Sequence, residues 1–194
     1  MSVQTDLSAW SEARSLADLG ILMAGWYEGR VPEWPGREGR PDEGLYPAAD
    51  SLAAACRAGI VVLSAQPASV ERVDGELWIH RATFTALVER DDLSTALLRG
   101  AREAGLVRYG LLSSAGGFGW PNTVTARDGE PMEFAGHRID AADVAHMFDG
   151  CHADAVRAAV DAWQVTLIDP GSARDGLLWK VLDAASGRTE AGVA

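Results

Sequence analysis

Ala48-Ala-Asp-Ser-Leu-Ala-Ala-Ala-Cys-Arg-Ala58-Gly59-Ile60-Val-Val-Leu-Ser64-Ala-Gln66 carries the change of period that decides the fold class. Ala48–Ala58 is alanine-rich and helical in pattern, and Gly59 suits the position just past a helix end, where a left-handed backbone is needed. Ile60–Leu63 is then an apolar, β-branched run that fits a strand buried on both faces. Helix, stop and strand within twenty residues predict a domain in which helices pack on a sheet.

The same alternation continues outward. Upstream, Ser15-Leu-Ala-Asp18 reads as a capping box with Asp in place of Glu, and Leu19, Leu22, Met23 and Trp26 follow at helical spacing. A shorter helical stretch over Leu7–Ala13 precedes it. Residues Arg30–Pro47 break every period, because Pro32, Pro35, Pro41 and Pro47 alternate with Gly36, Gly39 and Gly44. This loop reads either as a lid or as a surface excursion pinned by Trp34 and Tyr46.

Downstream, Val70–Val73 and Glu76–His80 flank Asp74-Gly75 as a hairpin, and Thr123–Ala126 and Met132–Arg138 flank Asp128-Gly129 as another. Helical segments are expected over Thr83–Arg90, Leu93–Ala104, the stretch capped by Asp140, Ala153–Ala162 and Leu177–Ala184, the last followed by a frayed tail from about residue 186. Leu106–Leu112 and Gln164–Ile168 are further apolar strands. The expected architecture is α/β in the mixed α+β sense, with one domain over residues 1–194 and a mixed sheet packed by helices.

Composition narrows the function. Hydrophobic residues make up 47% and charged residues 23%, as in ordinary globular chains, and the net charge is -11. That charge opposes a nucleic-acid backbone and an anionic membrane surface, so neither is an expected partner. The N-terminal residues lack the basic and apolar regions of a secretory signal, and Cys56 and Cys151 are too few for a disulfide framework, so a cytoplasmic location is expected. The oligomeric state is open.

Three apolar strands run into polar residues: Ile60–Leu63 into Ser64-Ala65-Gln66, Leu106–Leu112 into Ser113, and Gln164–Ile168 into Asp169. If they lie parallel, their carboxyl ends would gather these groups on one rim, where open α/β sheets bind ligands. The alternative is that strands leave a sheet through polar turns. The glycine-rich stretch after Ser113 could wrap an anion, but Trp120-Pro121 follows where a dinucleotide loop would start a helix, so no cofactor is expected. Ser64, His80 and Asp169 are the residue types of a hydrolase triad, without the elbow motif that exposes a serine. Asp143, His146, Cys151 and His152 cluster in sequence but match no metal-binding spacing, and no metal is expected. Arg174 reads as a carboxylate clamp or as a helix-start ion pair. Trp34 and Trp120 lie in or beside loops and suit pocket walls.

Ser15-Leu-Ala-Asp-Leu19 with Gly25-Trp26, Pro35-Gly36 with Pro41-Asp42-Glu43, Gln66-Pro67, His80-Arg81-Ala82 and Val165-Thr-Leu-Ile-Asp169-Pro170 before Leu178-Trp179 resemble an uncharacterised actinobacterial family of small soluble proteins, a domain of unknown function. The resemblance implies Cys-Ser-Gln-Pro-Gly where this chain has Ser64-Ala65-Gln66-Pro67-Ala68, so thiol chemistry is not carried over. It directs attention to Asp42, Glu43, Gln66, Arg81 and Asp169. Together these readings describe a small-molecule-binding enzyme or enzyme-like protein. Gln66 and Arg81 would orient the ligand, Asp169 or Glu43 would act as acid or base, and Ser64 would be a secondary nucleophile. The other class considered is a noncatalytic interaction or regulatory domain.

Overall fold

The structure, a computed structural model, describes residues 8–36, 39–112, 121–171 and 176–188. Helix α1 (Ser8–Glu12) leads into α2 (Leu16–Tyr27), whose start is set by the capping box read from the sequence. Ser15 Oγ accepts from the Asp18 amide at 3.1 Å, and the Asp18 carboxylate accepts from the amides of Arg14 and Ser15, each at 3.0 Å. Three backbone amides at the helix start are thereby satisfied.

Hydrogen bonding from the Arg14 amide, then from Ser15, holds the Asp18 carboxyl below its ordinary value of 3.8. A depressed carboxyl stabilises the fold above its unfolded value and loses that contribution as pH falls through its folded value. Asp18→Asn is therefore expected to lower the melting temperature near neutral pH, with the gap to wild type closing as the pH drops below 3.8. A gap that stays constant on acidification would show that the carboxylate charge is irrelevant to the cap.

After a 3-10 helix (Glu43–Ala48) comes α3 (Ala49–Arg57), which packs on α2. The two helices approach so closely that a Cβ on Gly20 would lie 2.4 Å from the Cys56 carbonyl oxygen. Helix α7 (Leu177–Ala185) lies against both α3 and α4 (Asp92–Glu103), so α2, α3, α7 and α4 form one layer. The short helices α5 (Ala141–Met147) and α6 (Ala153–Asp161) pack on each other, and α6 also meets α2.

Among the described residues the strands form two four-stranded sheets. The first has the order β1 (Val61–Gln66), β4 (Thr83–Val88), β8 (Trp163–Ile168), β5 (Val107–Leu112). The second has the order β2 (Ser69–Val73), β3 (Glu76–His80), β6 (Asn122–Arg127), β7 (Glu130–Ala135). Every neighbouring pair is antiparallel. The mixed α+β class therefore holds, with the strands divided between two antiparallel sheets. Both hairpins read from Asp-Gly pairs are present, and Asp74, Gly75, Asp128 and Gly129 all take the positive φ that a two-residue hairpin turn requires.

One expectation is corrected. Thr83–Arg90, expected to be helical, contains the strand β4, and all six of its residues are buried. A strand covered on both faces loses the alternation that marks a half-buried one, so its apolar spacing imitates a helix.

The two faces of the first sheet differ in chemistry. Phe84, Ala86, Val88, Val165 and Leu167 point into the helix layer and belong to the main core, together with Trp10, Leu16 and Trp26. Residues that pair directly across strands share a face. By that rule Ser64, Thr85, Thr166 and Tyr109 form one row on the opposite face, and Gln66, Thr83, Ile168 and Val107 form the next. This face meets the second sheet, where Val124 and Ala135 close on Ile168, Val107 and Tyr109 in a smaller apolar cluster.

The stretch Arg30–Pro47 is pinned. Trp34 is 5% exposed and stands edge-on to Trp26 at 5.8 Å, while the Trp26 indole donates to the Gly39 carbonyl at 2.8 Å. Tyr46, expected as the second anchor, is exposed, and Leu45 is buried in its place. Among the described residues no helix is long and apolar enough to cross a membrane.

Candidate functional site

The polar face of the first sheet is the floor of a cleft. At the edge strand β1, Ser64 follows an irregularity in the pairing with β4 and is exposed, whereas Thr83 and Thr85 beside it are buried. A cleft of about 580 Å³ opens over Ser64, Gln66 and Thr83 and is walled by Met132, Glu133 and Phe134 of β7. A smaller hollow of about 110 Å³ continues it over Ser64, Thr85 and Gln164. A third, of about 510 Å³, extends past Leu63 to Asp143 and His146 of α5 and to Gly36. Ser64 and His137 line all three, which makes them the midpoint of one continuous slot.

His137 is held by backbone rather than by its ring. Gln164 is 1% exposed, and its side-chain amide donates to the His137 carbonyl and accepts from the Ile139 amide, each at 2.8 Å. A buried amide that satisfies two backbone groups of a segment without regular structure fixes the path of that segment. The chain between β7 and α5 is thus laid over the sheet, and His137 is carried above Ser64.

At the other end, Gln66 Nε2 lies 3.3 Å from the Arg81 carbonyl, 3.4 Å from the Val124 carbonyl and 3.3 Å from Thr125 Oγ1. The Arg81 guanidinium donates to the Thr123 carbonyl at 3.0 Å. Thr125 is 1% exposed and has one hydroxyl proton, which goes to Glu133 Oε2 at 2.6 Å. His80 Nδ1 lies 3.2 Å from the same oxygen, which, having given its proton to Glu133, accepts there. Gln66, Thr125 and Glu133 join the two sheets by hydrogen bonds along one wall of the slot.

The structure brings Ser64, Gln66 and Arg81 into this region, with the Arg81 guanidinium turned to backbone. Trp34 is a core residue rather than a pocket wall, because its ring is enclosed by Trp26 and Phe148. Glu43 is exposed at the start of the 3-10 helix and does not line the slot. Asp169 is fully buried, and its Oδ1 accepts from the Gly171 amide at 2.8 Å, so it shapes the turn that leaves β8. Ser113, Trp120 and Arg174 lie outside the described residues.

The parallel arrangement on which a shared rim for Ser64, Ser113 and Asp169 was premised is corrected to antiparallel pairing. Gln66 pairs with Thr83, which pairs with Ile168, so β1 and β8 do end together. Strand β5 runs against β8, and Leu112, the residue before Ser113, pairs with Trp163 at the opposite rim. Nor is the triad gathered: His80 is bonded to Thr125, and neither it nor Asp169 lines the slot that Ser64 lines.

Neither thiol offers a nucleophile. Burial pushes Cys56 up to about 12, and burial with the nearby Asp149 charge pushes Cys151 up to about 11. Asp143 and His146 line the slot, but His152 turns away to cap α6 and meets Arg14 at 2.6 Å. Among the described residues no group of three or more His, Cys, Asp or Glu is placed to hold a metal ion.

Glu133, His137, Thr83, Thr85 and Gln164 were not singled out from the sequence. A signal for three of them was present. Thr83 and Thr85, Gln164 and Thr166, and Ser64 and Gln66 each repeat at i, i+2 inside apolar strands, which marks one polar sheet face. Glu133 and His137 carry no such period.

Among known proteins, the sequence model of a family described as a domain of unknown function (DUF6919) matches residues 5–187. No curated protein matches the chain.

Proposed function

The chain therefore belongs to that family, whose description names no activity, and we propose from the slot itself that this protein binds a small molecule between its two sheets, as an enzyme or an enzyme-like binding protein. One observation carries the reading. Beside the apolar patch of Ile168, Val107 and Tyr109, the first sheet turns hydroxyls and amides toward the second sheet, and part of that polar row faces a cleft. A sheet face covered only for packing gains most from apolar residues, since each buried polar group must find a partner. Ser64, Gln66 and Thr83 supply donors and acceptors, while Met132, Phe134 and Val124 supply apolar wall. A volume of about 580 Å³ falls in the range of small-ligand pockets.

Proton transfer to or from a bound molecule would fall to His137 or Glu133, which line the slot, with Ser64 between them as a hydroxyl contact. Two free thiols, Cys56 and Cys151, suit a reducing compartment such as the cytoplasm.

The test is a thermal-shift screen of the full chain against metabolites, repeated on Ser64→Trp. A ligand specific for the native state raises the melting temperature by mass action. Ser64 is exposed, so the substitution is expected to change stability by no more than about 0.5 kcal/mol. An indole there fills the middle of the slot. Shifts seen with wild type and lost in Ser64→Trp support the site; shifts that survive in the variant place binding elsewhere and reject it.

A second reading, a noncatalytic interaction domain, draws on the second sheet, whose two edge strands expose Val70, Val73, Met132 and Phe134. It becomes the better account if the screen yields no ligand and a defined partner protects those strands from hydrogen exchange.

A further inference from the structure

We propose that the ligand of this slot is an organic amine, a protonated ammonium group on an apolar body; this rests on the slot being the binding site. The argument is one of charge. Among the described residues Glu133 is the only carboxylate on the 580 Å³ cleft, and no lysine or arginine lines that cleft. Its one other titratable side chain is His137. Two arginines lie nearby, and both are engaged. Arg81 donates to the Thr123 carbonyl, and Arg138, on the far part of the slot, pairs with Asp140 at 2.7 Å.

Glu133 is also oriented. Thr125 is buried and donates to Oε2 at 2.6 Å, and its own hydroxyl is fixed by Gln66 and His80, so the carboxylate is anchored through one oxygen. A carboxylate held by a buried donor loses less freedom on pairing with a cation than a free surface glutamate would. The polar floor then complements an ammonium group. Ser64 Oγ and Thr83 Oγ1 can accept from it, whereas they meet an anion with few donors, because Thr83 Oγ1 already donates to the Arg81 carbonyl at 3.1 Å. The net charge of -11 adds a field that gathers cations and repels anions. Met132, Phe134 and Val124 accept the apolar remainder.

Three probes of one shape test this: phenethylamine, phenethyl alcohol and hydrocinnamate, titrated calorimetrically into the full chain near neutral pH and low salt. The amine is expected to bind about fivefold more tightly than the alcohol, with the carboxylate weakest, and the advantage should shrink as salt is added. Glu133→Gln is expected to erase the advantage of the amine and leave the alcohol unchanged. Thr125→Val, which frees the carboxylate without removing its charge, is expected to reduce it. A carboxylate that binds as well as the amine, or an amine whose advantage survives Glu133→Gln, overturns the proposal. Carboxylate binding that Ser64→Trp abolishes would overturn the charge class and leave the slot standing. Absence of binding by all three probes overturns the charge class, and the metabolite screen then decides whether the slot falls with it.

Discussion

Trp26→Ala is expected to cost about 4 kcal/mol, close to the whole stability of a marginal domain. Trp26 is 1% exposed and stands at the junction of α2 with the pinned loop. Its ring lies 4.9 Å from that of Tyr27 and 5.8 Å from that of Trp34, and Trp34 in turn lies 6.3 Å from Phe148 beside α5. Removing the indole opens a cavity that three neighbouring rings cannot close without moving α5. It also removes the hydrogen bond that Nε1 donates to the Gly39 carbonyl at 2.8 Å, and with it the tie between α2 and the loop. Trp26→Phe separates the two effects: it keeps most of the apolar volume and loses the hydrogen bond, for about 1–2 kcal/mol. Urea unfolding of both variants is the measurement. A Trp26→Ala cost no larger than that of Trp26→Phe would mean that the aromatic cluster is loosely packed.

Gln164→Leu is the second large effect and couples the fold to the site. Leucine nearly matches the volume, but the His137 carbonyl and the Ile139 amide each lose a buried partner. At about 1–3 kcal/mol per stranded group, a total near 3 kcal/mol is expected. The segment released is the one that carries His137, so ligand binding should be lost together with stability. Thr166→Val is the control. It removes one member of the buried Thr85–Thr166 hydroxyl pair at 3.1 Å and leaves the His137 segment in place, so it should cost about 1 kcal/mol with binding retained. If Gln164→Leu keeps the affinity of wild type for any ligand found in the screen, the amide does not position the site.

What was legible in the sequence was local. Ser15 and Asp18 announce the start of α2 because a cap is made within four residues, and Asp74-Gly75 and Asp128-Gly129 announce hairpins because their positive φ is a property of the turn itself. What was not legible depends on pairing between distant segments. Whether β5 runs with or against β8 is decided by the connection between them and leaves no trace in Leu106–Leu112, so the parallel arrangement expected of these strands was not corrected by the sequence. β4 lost its strand signature because it is buried on both faces. The site was half legible. Ser64 and Gln66 were found at the end of an apolar run, but the wall opposite them comes from Glu133 and His137, whose role depends on a second sheet folding over the first.

The strands that leave the slot open also lie at sheet margins, and unsatisfied margins invite other chains to add to them. Here the invitation is refused by chemistry. In β7, Pro131 has no amide hydrogen to offer an incoming strand, Glu130 and Glu133 would set negative charges against another acidic molecule, and two irregularities break the register. In β2, Glu71 and Arg72 occupy the middle of the margin. In β1, the irregularity before Ser64 interrupts an otherwise apolar run. A substitution such as Pro131→Val, which restores an amide hydrogen and a β-branched side chain to that margin, should therefore raise the tendency to aggregate, measured by light scattering against concentration.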